Sequence, residues 1–195
     1  MARAAAVIRA GGLVAFPTDT LYALAADPFN QVAVGAVFDA KGRVSGQPMP
    51  LVAADVAQIH LQIGPLPALA RRLAERFWPG PITMLMNAPG PLAPAVTGGT
   101  GRIGVRVPEH AVARAFCLAC ASVLVATSAN PSGQPATSSP DDVEASLGAK
   151  IDMLLDSGRT PGGPPSTIVD ATGTEVRLVR AGAISWERIE TCLHG

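Results

Sequence analysis

The apolar run Leu13-Val14-Ala15-Phe16 stops at Pro17, and Thr18, Asp19 and Thr20 follow at once. A short apolar run of this kind reads as a buried strand. Proline has a fixed φ and no N–H for a sheet ladder, so the strand ends or bulges there. Two hydroxyls and a carboxylate then stand at a strand end, where α/β proteins usually hold their ligands. Read alone, the stretch is equally a strand that closes in a hydroxyl-rich turn. Eighteen prolines and twenty glycines, spread along the chain, require many loops between short elements.

Around that first strand the chain alternates irregularly. Ala2–Ala10 reads as a helix closed by Gly11-Gly12, and Asn30 caps a helix to about Lys41 with Val32, Val37 and Phe38 toward the core. Met49–Ala54 reads as a strand, and Asp55 begins a short helix. Leu66, Leu69, Leu73 and Phe77 fall at helical spacing opposite Arg71, Arg72, Glu75 and Arg76. Trp78-Pro79-Gly80-Pro81 breaks that helix and leads into the strand Ile82–Met86. Arg102–Val107 is a strand, Pro108 starts a helix Glu109–Cys120, and Ser122–Thr127 is a continuous apolar strand. Ser139 caps a helix with Pro140 at its first position and Asp141 and Asp142 in its first turn. Ile151–Leu155, Thr167–Val169 and Glu175–Val179 are strands, with the loop Asp156–Ser166 between the first two, and Ser185 caps a final helix. The expectation is an α/β (α+β-like) fold with a mixed sheet in one domain, 1–195.

Hydrophobic residues make up 48% of the chain, charged residues 15% and aromatic residues 4%, so the core is built from Ala, Val, Leu and Ile. Fifteen basic residues balance fifteen acidic ones. No global field draws this chain to nucleic acid or to an anionic membrane, so any polyanion site must be local. Three cysteines and no secretion signal point to a reducing, cytoplasmic setting. No apolar stretch reaches the roughly 18 residues of a spanning helix, so no membrane partner is expected. Cys117-Leu-Ala-Cys120 has redox or zinc spacing but lacks a second pair and reads as buried thiols. His60, His110 and His194 are scattered, and no metal site is assigned.

Three polar clusters remain. In Lys41-Gly42-Arg43 two cations flank a glycine and can aim at one anion, or simply complement a helix C-terminus. Ser128-Ala129-Asn130 follows a buried strand and suits a nucleotide, a carboxylate or a plain turn. Arg106 lies inside a strand, with Arg102 at its start; buried, such an arginine needs an anionic partner, and otherwise it faces solvent. Phosphate-loop, dinucleotide and nucleophile-elbow fingerprints are missing.

Seven motifs occur in order: Phe-Pro-Thr-Asp-Thr-Leu-Tyr-Ala-Leu, Lys-Gly-Arg, Phe-Trp-Pro-Gly-Pro-Ile-Thr, Val-Arg-Val-Pro, Thr-Ser-Ala-Asn-Pro-Ser-Gly, Pro-Ser-Thr-Ile-Val-Asp and Val-Arg-Ala-Gly. From about Gly12 to Gly182 the chain resembles the YrdC-like family of threonylcarbamoyl-AMP synthases, in its short, single-domain bacterial form. The resemblance implies a twisted, mixed, open sheet flanked by helices around a large concave cavity, of the YrdC/RibB-like kind. It also implies a nucleotidyltransferase reaction, in which L-threonine, bicarbonate and ATP with Mg²⁺ give threonylcarbamoyl-AMP and pyrophosphate. Downstream tRNA-threonylcarbamoyl transferase proteins would then modify adenosine 37 of tRNA.

By the same resemblance, Lys41, Arg43, Ser128 and Asn130 are the catalytic signature. Arg43, Gln47, Arg102, Ser128, Ala136 and Arg180 match ATP-binding positions, and Thr20, Arg106, Ala126 and Ser166 match threonine-binding ones. Three departures stand out: Ala23 and Ala25 in place of glycines, Val44 in place of the usual proline, and Val52 where some relatives place a substrate-contacting histidine. Two rival readings stand beside the synthase one: an RNA-binding ribosome-maturation factor that uses the same cavity without chemistry, and a carbamoyl-transfer module like the related domain of hydrogenase maturation proteins. The resemblance also implies contact with tRNA or other structured RNA, an expectation that the zero net charge weakens.

Overall fold

The computed structural model describes residues 1–44 and 46–194. Ser45, in the loop after Lys-Gly-Arg, lies outside the described residues. In chain order the elements are α1 (Ala2–Arg9), β1 (Val14–Phe16), β2 (Ala23–Ala25), α2 (Gln31–Lys41), β3 (Leu51–Val52), α3 (Val56–Gln62), α4 (Ala68–Phe77), β4 (Ile82–Asn87) and α5 (Pro94–Thr97). They continue with β5 (Arg102–Arg106), α6 (Ala111–Cys120), β6 (Leu124–Val125), β7 (Thr127–Ser128), α7 (Pro140–Leu147), β8 (Met153–Leu154), β9 (Thr167–Asp170), β10 (Arg177–Arg180) and α8 (Trp186–His194).

The mixed sheet of the sequence reading is divided in two. A four-stranded sheet runs β7-β2-β1-β8, and a six-stranded sheet runs β10-β9-β4-β5-β3-β6. Both mix orientations: β1 is antiparallel to β2 and parallel to β8, while β4 is antiparallel to β5 and parallel to β9. The expected continuous strand Ser122–Thr127 is broken at Ala126. Leu124 and Val125 pair with β3 in the large sheet, whereas Thr127 and Ser128 pair with β2 in the small one. Ala126 donates its N–H across the junction to Pro50 O at 2.8 Å. Serving two ladders with one run of chain joins the sheets and opens the space between them.

Apolar side chains fill the rest. The larger core gathers α2, β3, α4, β4 and β5, and a smaller one lies between α1, the other face of β1 and α6. In α2 the buried positions Val34, Val37, Phe38 and Lys41 recur at helical spacing, so the helix geometry carries a lysine onto the core-facing stripe. Val32, expected to face the core, lies off that stripe and is 81% exposed.

Some helix starts also differ from the sequence reading. Helix α6 begins at Ala111, after Pro108, because Gly80 N–H ties down the carbonyl of Val107 at 2.8 Å and holds the chain extended. Pro140 and the first-turn Asp141 and Asp142 open α7 as expected, but the Ser139 hydroxyl makes no cap bond. Instead the Thr137 hydroxyl accepts from Ser139 N–H at 3.0 Å and donates to Asp142 at 2.6 Å.

The loop 156–166 is strapped to the chain's first turn. Tyr22 donates its hydroxyl to Gly158 O at 2.7 Å, and the Thr160 hydroxyl and Gly162 N–H both donate to Thr20 O at 2.8 Å. No helix among the described residues is long and apolar enough to cross a membrane.

Candidate active site

Helix α2 ends in a turn that aims two cations the same way. Gly42 adopts the left-handed conformation, φ 59° and ψ 37°, which only glycine takes at no steric cost. Its N–H and that of Arg43 satisfy the carbonyls of Asp39 and Phe38. The reversal sends Arg43 back beside Lys41, which accounts for the glycine between them. Lys41 Nζ donates to the carbonyls of Ser128 and, at 2.7 Å, Asn130. Burial, followed by the neighbouring Arg43 charge, lowers its pKa from 10.5 to about 8. Arg43 spreads its fork over Gln47 Oε1 (3.0 Å), the Thr127 hydroxyl (3.1 Å) and Pro48 O (3.1 Å).

The segment after the sheet crossing closes over this pair. Ser132 N–H donates to Lys41 O at 2.7 Å. Asn130 gives its amide N–H₂ to Pro131 O (2.9 Å) and Gln134 O (2.6 Å), which fixes the orientation of the amide. Its Oδ1 is buried and without a partner among the described residues. Asn130 borders the cavity, and this acceptor lies buried in the wall.

A second group of polar side chains is built on the turn that follows β1. The Thr18 hydroxyl donates to Leu21 O at 2.7 Å and accepts from Thr20 N–H at 3.2 Å, so it shapes the turn that presents Thr20. Arg106, at the end of β5, is only 7% exposed. It pairs with Asp19, donates Nε–H to Gly80 O at 3.0 Å and reaches the Thr20 hydroxyl at 3.5 Å. Three of five guanidinium N–H groups are thereby used, leaving two for a ligand. Arg180 donates to Ser166 O at 2.6 Å and to its hydroxyl at 3.3 Å, and that hydroxyl lies 2.8 Å from Thr83 Oγ1. Burial, then the charge of Arg106, lowers the Arg180 pKa.

Both groups line one cavity of about 780 Å³. Of the residues singled out from sequence, Thr20, Lys41, Arg43, Gln47, Arg106, Ala126, Ser128, Asn130, Ala136, Ser166 and Arg180 all border it. Arg102 does not: it is half-exposed and holds Asp170 at 2.5 Å beyond the cavity wall. Asp170 sits below the usual carboxylate range, because hydrogen bonds from Thr172 and the charge of Arg102 outweigh its partial burial. Thr83, Thr127 and the Asp19 partnership were missed by the sequence reading. Thr83 lies inside the Phe-Trp-Pro-Gly-Pro-Ile-Thr motif, which was the available signal. Cys117 and Cys120 are buried thiols whose pKa values burial raises, Cys120 to about 11. No group of three or more metal-ligating side chains occurs among the described residues.

The described lining contains four cations and no aspartate or glutamate, so a neutral chain carries a locally basic cavity. A family model for Sua5, YciO and YrdC, described as telomere recombination, matches residues 6–182. The chain belongs to this family. It is 37% identical to threonylcarbamoyl-AMP synthase of Bacillus subtilis over 99% of this chain and 56% of that protein. A relative of the same name from Nitrosococcus oceani is 36% identical over 89% of this chain and 95% of its own length. The solved structure of Pyrococcus abyssi Sua5 complexed with L-threonine superposes with a TM-score of 0.94 at 36% identity, covering 99% of this chain and 57% of that one. This family member thus spans little more than half the length of the B. subtilis and P. abyssi relatives.

Proposed function

We propose that this Sua5/YciO/YrdC-family chain is a threonylcarbamoyl-AMP synthase, a nucleotidyltransferase that makes L-threonylcarbamoyladenylate and pyrophosphate from L-threonine, bicarbonate and ATP. One observation carries the reading. A single cavity is lined both by a cation pair with hydroxyl and amide side chains beside it and by a second group of hydroxyls and guanidinium groups. The threonine-bound relative and the names of the curated relatives support the same assignment.

In the proposed reaction the threonine nitrogen bonds to the bicarbonate carbon with loss of water. A carbamate oxygen then attacks the α-phosphorus while the α–β bridging bond breaks and pyrophosphate leaves. No covalent nucleophile is needed; position and positive charge are. Lys41 and Arg43 take the phosphates and the charge that grows on the leaving group, and Ser128 and Asn130 hold the nucleotide. Thr20 and the two unspent N–H groups of Arg106 orient the amino acid. Mg²⁺ bound with ATP would supply charge neutralisation to the triphosphate. The lining supplies hydroxyls and carbonyls but no carboxylate cage, so a metal would be held mainly by the triphosphate it accompanies. The product would pass to tRNA-threonylcarbamoyl transferase proteins.

The test is pyrophosphate release by the pure protein with ATP and Mg²⁺. Release that requires both L-threonine and bicarbonate supports the reading, and release indifferent to either overturns it.

A pH effect follows from Lys41. Its folded-state pKa of about 8 lies below the ordinary 10.5, so in the free protein it is half deprotonated near pH 8. A bound triphosphate favours the charged form and raises that pKa. ATP binding at pH 8–9 is therefore expected to take up protons and to weaken as pH climbs. Calorimetry in buffers of different ionisation enthalpy measures the uptake. For folding the sign is opposite: between about 8 and 10.5 the unfolded chain binds more protons at this group, so Lys41 opposes folding less as pH rises.

A further inference from the structure

The cavity wall contains a hydroxyl that none of the roles above uses. Thr83 is 2% exposed yet borders the cavity. Along β4, Ile82, Met84 and Met86 point into the core, so alternation turns Thr83 to the other face. Antiparallel pairing of Met84 with Val105 sets Thr83 across from Arg106. The floor beneath it is cut to fit. A Cβ on Gly104 would come within 2.8 Å of the Thr83 methyl, so that position has room for glycine alone.

What Thr83 offers follows from counting protons. The Ser166 hydroxyl accepts from Arg180, which can only donate, and lies 2.8 Å from Thr83 Oγ1. Each hydroxyl has one proton and two lone pairs. Their mutual bond consumes one proton and one lone pair, whichever residue donates. The couple is left with one free O–H and spare lone pairs, and neither hydroxyl has a further partner among the described residues. One donor beside one acceptor is the complement of a ligand hydroxyl, which itself both donates and accepts.

We propose that Thr83 is a specificity-determining residue which, with Ser166, reads the β-hydroxyl of the amino-acid substrate. Arg106 opposite it holds the carboxylate, so the two contacts recognise the two polar ends of a short β-hydroxy amino acid. The inference rests on the synthase reading and names what selects its amino acid. A site built to hydrogen-bond a substrate hydroxyl rejects the analogue without it, because its own groups are left unpaired.

The experiment compares binding of L-threonine and L-2-aminobutyrate, which differ by that hydroxyl, to wild type and to Thr83→Val by calorimetry, with ATP affinity as a control. Wild type is expected to prefer L-threonine. In Thr83→Val the preference should fall roughly 10-fold with ATP affinity unchanged, the loss of about one hydrogen bond. Thr83→Ser, which keeps the hydroxyl, should retain the preference. If valine is not tolerated in the strand, Thr83→Ala carries the same expectation as Thr83→Val. Equal wild-type affinity for the two amino acids, or an unchanged preference in the hydroxyl-free variant, overturns this inference and leaves the synthase reading standing. Failure of wild type to bind either amino acid overturns both.

Discussion

Lys41→Ala is expected to lower kcat by roughly 100- to 1,000-fold, the effect of removing one preorganised charge donor from a transition state, while the protein stays folded. The lysine sits on the core-facing stripe of α2, so a loss of stability is the rival outcome. Three observations argue against it. Its ammonium is desolvated and close to Arg43, which costs free energy in the apo protein. The carbonyls it leaves, those of Ser128 and Asn130, border the cavity and can turn to water. Its stem adds little to a stripe already filled by Val34, Val37 and Phe38. Arg43→Ala should behave alike, with a further loss of ATP affinity because Gln47 and Thr127 lose their shared partner. Steady-state kinetics and thermal melts on the same samples check both. A melting temperature lower by ten degrees or more would make the pair structural.

Asp19→Ala should do the reverse and strike stability first. Arg106 is 7% exposed and Asp19 is its only carboxylate partner among the described residues. Removing one member of a buried pair leaves an uncompensated charge and typically costs about 3–5 kcal/mol. Against a total of roughly 5–15 kcal/mol for an ordinary domain, that is a large share. Asp19→Asn keeps the shape and an acceptor oxygen and should lose less. Urea denaturation orders the series as wild type, Asn, Ala. Both variants should also raise KM for L-threonine more than for ATP, since Arg106 is proposed to hold the amino acid. A pair of this kind differs from Arg102–Asp170, which is half-exposed and contributes little.

Much of this site is written locally in the sequence. Lys41 and Arg43 converge because a single glycine can take the left-handed turn between them, and a Lys-Gly-Arg triplet at the end of an amphipathic helix states that directly. The strand ended by Pro17 and the one ended by Ser128 both deliver hydroxyls to the cavity, as strand-end hydroxyls do. What could not be read are contacts between distant parts of the chain. Asp19 meets Arg106 across 87 residues, and Thr83 meets Ser166 across 83. Neither partner carries a local mark of the other. The sheet change at Ala126 is equally silent, because an apolar run says that a segment is buried but not which ladder it joins. Arg102 fails for the opposite reason. It sits four residues before Arg106 on the same strand, but at the end where β5 reaches solvent, and Asp170 of β9 takes it.

The central claim is that one cavity brings an amino acid, a carbon carried as bicarbonate and a nucleotide into a single product. The most direct measurement supplies ATP, Mg²⁺, L-threonine and bicarbonate whose carbon is isotopically labelled, and identifies the adenylate by mass spectrometry. The expected result is a threonine-containing adenylate that carries the label, formed by wild type and at least roughly 100-fold more slowly by Lys41→Ala. An unlabelled threonyl adenylate, or no adenylate at all, would contradict it.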